Sequence, residues 1–168
     1  MRVGVFLRGI NVGGNKMIPM AALREALTRA GHADVKTLLQ SGNVVLDRGK
    51  PAELEQLIEA EFGMKVRVIV RTHAELVKLI ENNPFQDHVD QPSRLAVGFL
   101  EKAPGKVAID AARYAPDEFV IAGKDIYLWY AGGMGQTKIG EPAFVKALGV
   151  AMTVRNWNTV TKMADLTQ

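Results

Sequence analysis

The sequence contains no cysteine. Disulfides, zinc–thiolate centres and thiol nucleophiles are therefore excluded, and a cytoplasmic protein is expected. No apolar run approaches the ~20 residues that cross a bilayer. The opening Met1–Leu7 meets Arg8 too soon to read as a signal peptide, so no membrane partner is expected. Histidine is scarce: His32, His73 and His88 show no ligand spacing, and no metal site is expected. No nucleophile–base pair is visible either, since Ser41 has no evident histidine or lysine partner. Catalytic residues and a cofactor are accordingly left unassigned, and so is the oligomeric state. Neither sign of charge dominates. A net charge of +3 permits nucleic acid or other anionic ligands without demanding them. What remains is ordinary: 48% apolar and 23% charged residues in a chain of 168, enough for one domain or two small ones.

Hydrophobic periodicity gives the element order. Val3, Val5 and Leu7 alternate on one face of a first strand. Met20, Leu23, Leu27 and Ala30 recur at helical spacing, and Gly31 closes that helix. Val35–Leu39 and Asn43–Leu46 read as a hairpin across Gln40-Ser41-Gly42. Pro51 opens a second helix striped by Leu54, Leu57, Ile58 and Phe62, and Lys65–Arg71 is a strand. This β-α-β-β-α-β order is the ferredoxin-like plan. Thr72-His73-Ala74-Glu75 has capping-box spacing and predicts a third helix to about Asn82. Beyond a polar loop, Leu95–Leu100 is a strand, Val107–Ala112 a short helix, and Phe119–Ala122 with Ile126–Tyr130 a hairpin. Gly132–Gly140 follows as a glycine-rich loop, then a short helix over Phe144–Leu148 and a last one carrying Trp157, Val160 and Ala164. The expectation is an α+β protein with a ferredoxin-like subdomain, 1–72, packed against a second α+β subdomain, 73–168.

Four polar clusters carry the candidate chemistry. Arg8-Gly-Ile-Asn11-Val-Gly13-Gly14-Asn-Lys16 leaves an apolar strand and precedes a helix near Pro19. Glycine and asparagine tolerate positive φ, so the backbone can turn tightly and expose N–H groups. With Arg8 and Lys16 beside a helix N-terminus, this is an anion or phosphate cradle, or simply a strand-to-helix connection that needs glycine. The spacing fits neither G-x-G-x-x-G nor the Walker A loop. Gln40, Ser41 and Asn43 form either a plain turn or a rim of amide and hydroxyl groups for a base, sugar or peptide. Thr137 and Lys138 end the second glycine-rich loop, in the wrong order for Walker A, and either hold a phosphate or decorate a surface loop. Arg155 and Asn156 sit where a helix begins, with Thr153 or Asn156 as its N-cap. Arg155 there holds an anion or pairs with an internal carboxylate. Trp157 reads as a core anchor. Arg2, Lys65, Arg67 and Arg71 read as a solvated basic stripe.

Leu7-Arg8-Gly9-Ile10-Asn11-Val12-Gly13-Gly14, Gln40-Ser41-Gly42-Asn43-Val44-Val45 and Arg155-Asn156-Trp157-Asn158-Thr159 resemble the signature blocks of the bacterial domain-of-unknown-function 1697 family. The three blocks occur in order and the resemblance spans essentially the whole chain. It implies a cytosolic α+β protein with a ferredoxin-like half, and no particular activity. Val154 departs from the pattern, where a second threonine is more usual.

The residues together favour binding of a phosphate-bearing ligand, a small molecule such as a nucleotide or a nucleic acid, in a basic cleft between the subdomains. The ligand set is Arg8, Asn11, Gly13, Gly14, Lys16, Gln40, Ser41, Asn43, Thr137, Lys138, Arg155 and Asn156. An enzyme acting on a phosphorylated small molecule and a protein-interaction module are the alternatives. An RNA-recognition motif in its usual mode is disfavoured. The first strand offers only Phe6 for stacking, and Val44-Val45-Leu46 offers no aromatic.

Overall fold

The structure is a computed structural model that describes residues 2–168. Its described residues fall into two units, one of 2–78 with 162–168 and one of 79–161. Each carries one four-stranded antiparallel sheet.

In the first unit β1 (Val3–Leu7), α1 (Met20–Arg29), β2 (Lys36–Leu38), β3 (Asn43–Leu46), α2 (Pro51–Phe62) and β4 (Val68–Thr72) follow in chain order. The sheet order β2-β3-β1-β4 is that of a ferredoxin-like fold. Every pairing is antiparallel, with Val5 opposite Val44 on one side and Val70 on the other. The short Leu39–Gly42 connection permits nothing else. Val3, Val5 and Leu7 of β1 share one core with Leu23 and Leu27 of α1 and Leu54 and Ile58 of α2. Both helices therefore cover the same sheet face, as their 3.6-residue stripes require. The opposite face is also covered: a Cβ on Gly4 would lie 3.3 Å from Leu76 and 3.4 Å from Met163. Leu76 belongs to α3 (His73–Glu81), which opens on a reciprocal capping box. Glu75 N–H donates to Thr72 Oγ1, and Thr72 N–H donates to the Glu75 carboxylate, at 3.1 and 2.8 Å.

The second unit has β5 (Leu95–Leu100), β6 (Glu118–Ala122), β7 (Asp125–Trp129), α4 (Pro142–Leu148) and β8 (Met152–Asn156), followed by α5 (Trp157–Leu166). Its sheet order β6-β7-β5-β8 repeats the first, fourth strand for fourth strand. The repetition reaches individual residues. Val70-Arg71-Thr72 ends β4 and Val154-Arg155-Asn156 ends β8, each directly before a helix. Arg71 and Arg155 are both buried, and each donates from Nη1 to the carbonyl of the valine before it, at 3.1 and 2.9 Å.

Two expectations are corrected in this half. Val107–Ala112 is not a helix; the segment is irregular apart from a single 3-10 turn at Ala111–Arg113. Thr153 does not cap a helix but lies inside β8, where it faces Phe99. Asn156 is the cap, accepting from Thr159 N–H at 2.9 Å. β-Branched Thr153 and Val154 suit a strand, and pairing with β5 decides the matter.

Candidate functional site

One end of the first sheet gathers three connections. β1 ends at Leu7, opposite Val68 at the start of β4, and Phe6 lies opposite Asn43 at the start of β3. The Arg8–Pro19 loop, the Leu39–Gly42 turn and the Lys65–Arg67 approach to β4 consequently meet there. Backbone bonds tie them: Leu7 N–H to the Gly42 carbonyl and Arg8 N–H to the Arg67 carbonyl, both at 2.9 Å.

The loop itself is a miniature hairpin. Gly13 and Gly14 have φ of 59° and 76°, and Val12 bridges to Asn15. Positive φ at both central residues is the primed turn that glycine pairs favour. Asn15 N–H donates to the Val12 carbonyl at 3.0 Å, and Asn11 N–H to the Lys16 carbonyl at 3.1 Å. Asn11 sets the position of the hairpin. Its Nδ2 donates to the carbonyls of Ile18 at 3.0 Å and Gln40 at 2.6 Å, while its Oδ1 accepts from Ile18 N–H at 2.8 Å. The N–H groups of Arg8, Asn11, Asn15 and Ile18 are thus taken by protein acceptors. Side chains, more than a backbone cradle, carry the charge at this end.

Those side chains surround a pocket of about 380 Å³ lined by Arg8, Lys16, Glu55, Glu59, Lys65, Val66 and Arg67. The four cations are all exposed. Lys16 reaches across to donate from Nζ to the Lys65 carbonyl at 2.7 Å. Glu55 and Glu59 stand one turn apart on the same face of α2, and Glu55 accepts from Val68 N–H at 3.0 Å. Four positive and two negative side chains leave an excess of two positive charges around the pocket. Exposure keeps their mutual repulsion small, because solvent and salt screen it.

Eight of the residues singled out in the sequence lie in this unit, and Arg8, Asn11, Gly13, Gly14, Lys16, Gln40 and Ser41 lie in the connections at this sheet end, with Asn43 at the start of β3. Asn43 is buried and structural in its visible bonds, donating to the Leu38 carbonyl at 2.7 Å and Ser41 Oγ at 3.2 Å. The other four belong to the second unit. Thr137 Oγ1 donates to Asp117 Oδ2 at 2.6 Å and accepts from Ile139 N–H at 3.0 Å. Asp117 Oδ1 also accepts from Ala131 N–H at 2.8 Å, so this one carboxylate pins both ends of the glycine-rich loop. Lys138 is exposed. Arg155 is buried, pairs across from Val97, and donates to Thr153 Oγ1 at 2.7 Å. Burial lowers its pKa to about 10. Trp157 is buried, in keeping with a core anchor.

Lys65, Arg67, Glu55 and Glu59 were not singled out as ligand residues in the sequence. Lys65 and Arg67 alternate around buried Val66, a pattern that reads equally as the wet face of a strand. Arg71, of the same stripe, is buried instead. Glu55 and Glu59 are the polar side of an amphipathic helix, and only the fold reveals what that side overlooks. Among the described residues no group of three or more His, Asp or Glu side chains is placed to hold a metal ion, and no helix is long and apolar enough to cross a membrane.

A family model described as a protein of unknown function, DUF1697, matches residues 1–127, which include the whole of this site. The chain belongs to the DUF1697 family. A conserved bacterial protein of Streptococcus pneumoniae, SP0830, is similar in structure, with a TM-score of 0.70 over 99% of this chain and 98% of that one. At 20% identity the likeness shows the fold alone. No curated protein matches the sequence. Within the matched span, the stretch Leu7–Gly14 has a physical role. It builds the glycine hairpin that carries Lys16 to the pocket rim.

Proposed function

We propose that this DUF1697 protein binds a phosphate-bearing ligand at the sheet end of its first unit. The observation that carries the reading is the convergence of Arg8, Lys16, Lys65 and Arg67, from two separate segments, around one pocket. Two excess positive charges suit a dianionic phosphate monoester. Glu55 and Glu59, acceptor-only when ionised, suit the hydroxyl groups of a sugar attached to that phosphate. A nucleotide has both parts.

Thermal unfolding with added 5′-AMP, and with inorganic phosphate, tests this. A ligand at 100 times its Kd stabilises a fold by about 2.7 kcal/mol. For a chain of this length that raises Tm by roughly 5–10 °C. Lys65→Glu should abolish the shift while leaving the Tm of the unliganded protein close to that of the wild type. An equal shift in wild type and variant would dismiss the pocket as the site.

A further inference from the structure

Three large aliphatic side chains stand out in water at this same sheet end. Val12 is 64% exposed, Met17 58% and Leu39 59%. Scattered exposed hydrophobics need no explanation, but these three sit on two connections that a hydrogen bond joins at one sheet end. Val12 and Met17 flank the hairpin, and Asn11 Nδ2 ties the hairpin to the Gln40 carbonyl, next to Leu39. The backbone that presents them is unusual. Asn11, Lys16 and Leu39 have φ of 55°, 48° and 62°, a left-handed conformation that asparagine tolerates and that lysine and leucine rarely adopt. Such strain persists where the surroundings enforce it, and it collects at ligand clamps. Over Gly9, Gly13 and Gly14 the space is open: a Cβ on any of them would meet nothing within 4 Å. A ligand can therefore approach the hairpin backbone closely.

Resting on the phosphate-pocket reading above, we infer that the ligand is a single strand of nucleic acid. Its phosphates lie along Arg8, Lys16, Lys65 and Arg67, and its base faces cover Val12, Met17 and Leu39. Charge complementarity selects a polyanion, and the apolar side chains select one with apolar faces to offer. Only unpaired bases offer them, because a duplex hides its base faces in the stack. Aliphatic contacts are weakly selective, so little sequence preference accompanies binding.

The test is fluorescence anisotropy with a labelled RNA of about eight nucleotides, within the ~4–16 that single-strand sites occupy. The competitors are the same sequence as a duplex, 5′-AMP and a polyglutamate peptide. The variants are Lys65→Glu and the triple Val12→Ser/Met17→Ser/Leu39→Ser, whose side chains are exposed. The strand should bind roughly tenfold or more tighter than AMP or the duplex. The triple variant should lose about that factor for the strand and keep its affinity for AMP. Raising salt from 50 to 200 mM should weaken strand binding roughly 20- to 50-fold if three or four phosphates are neutralised. A strand bound no tighter than AMP, an unaffected triple variant, or equal competition by polyglutamate overturns the inference. If AMP still binds in a Lys65-dependent way, the phosphate-pocket reading survives that result. If neither AMP nor the strand binds, both readings fall.

Discussion

Replacing Asn11 by alanine should be among the most damaging single changes near the site, although Asn11 is only half-buried. The substitution removes two donated bonds, to the Ile18 and Gln40 carbonyls, and one accepted from Ile18 N–H. Each contributes about 0.5–1.5 kcal/mol net. Ile18 is fully buried, so its N–H is left without an acceptor in a place water does not reach, a penalty of about 1–3 kcal/mol. Alanine also tolerates the φ of 55° less well than asparagine, by about 1 kcal/mol. These terms overlap, since the loop can relax, and a net loss of about 2–4 kcal/mol is expected. Urea denaturation should show it as a lower midpoint, and the Tm should fall on the order of 10 °C. Two companion variants separate the causes. Asn11→Gly removes the bonds without the backbone strain and should recover about 1 kcal/mol. Asn11→Asp keeps the acceptor for Ile18 N–H and should fall between wild type and alanine. Amide exchange at Ile18 gives the local readout, and it should accelerate in Asn11→Ala. A stability within 0.5 kcal/mol of wild type, with unchanged exchange at Ile18, would refute the reasoning.

Gly42→Ala should destabilise by about 2–4 kcal/mol in the same denaturation assay. Its φ is +93°, and a Cβ there would lie 2.7 Å from Ile10 Cδ1 and 2.9 Å from Leu7 Cβ, both in the core. Asp117→Ala should loosen the glycine-rich loop, seen as faster amide exchange at Ala131 and a loss of about 1–3 kcal/mol, while Asp117→Asn keeps part of the bonding and loses less. Burial raises the pKa of all three tyrosines, that of Tyr127 to about 12. Absorbance near 295 nm should therefore show no tyrosinate step at pH 10 in the folded protein. Because the folded pKa of Tyr127 lies above the unfolded value near 10, its contribution to stability is intact below pH 10 and drains away between pH 10 and 12. A tyrosinate step at pH 10 with the fold intact would contradict the burial.

The first unit was legible in the sequence because each of its elements carries a clean period. Val3, Val5 and Leu7 alternate, Leu23 and Leu27 sit one turn apart, and Pro51 opens α2 where a first helical turn accepts it. The second unit was less so. Val107–Ala112 has helical spacing of its apolar residues, yet Val107 and Ile109 are only partly buried at the edge of a core and the backbone never closes a helix. β8 escaped notice because five residues that end in Arg155 and the capping Asn156 look like a helix start. Its identity comes from long-range pairing with β5, which local sequence does not encode. At the site, Gly13-Gly14 and Lys16 were readable because glycine pairs and a flanking cation have local meaning. Lys65 and Arg67 were not, since their proximity to Arg8 arises from a strand pairing more than fifty residues distant in sequence. The exposure of Val12, Met17 and Leu39 is likewise a property of the fold, since apolar residues in a sequence are by default counted inside.

The most direct test of the account is a titration of the 15N-labelled protein with 5′-AMP, followed by amide chemical shifts. Progressive, saturable shifts confined to residues 8–17, 39–42 and 65–67 and to the Glu55–Glu59 turn of α2 are the expected result. Shifts centred on Gly132–Lys138, or none at millimolar AMP, would contradict it.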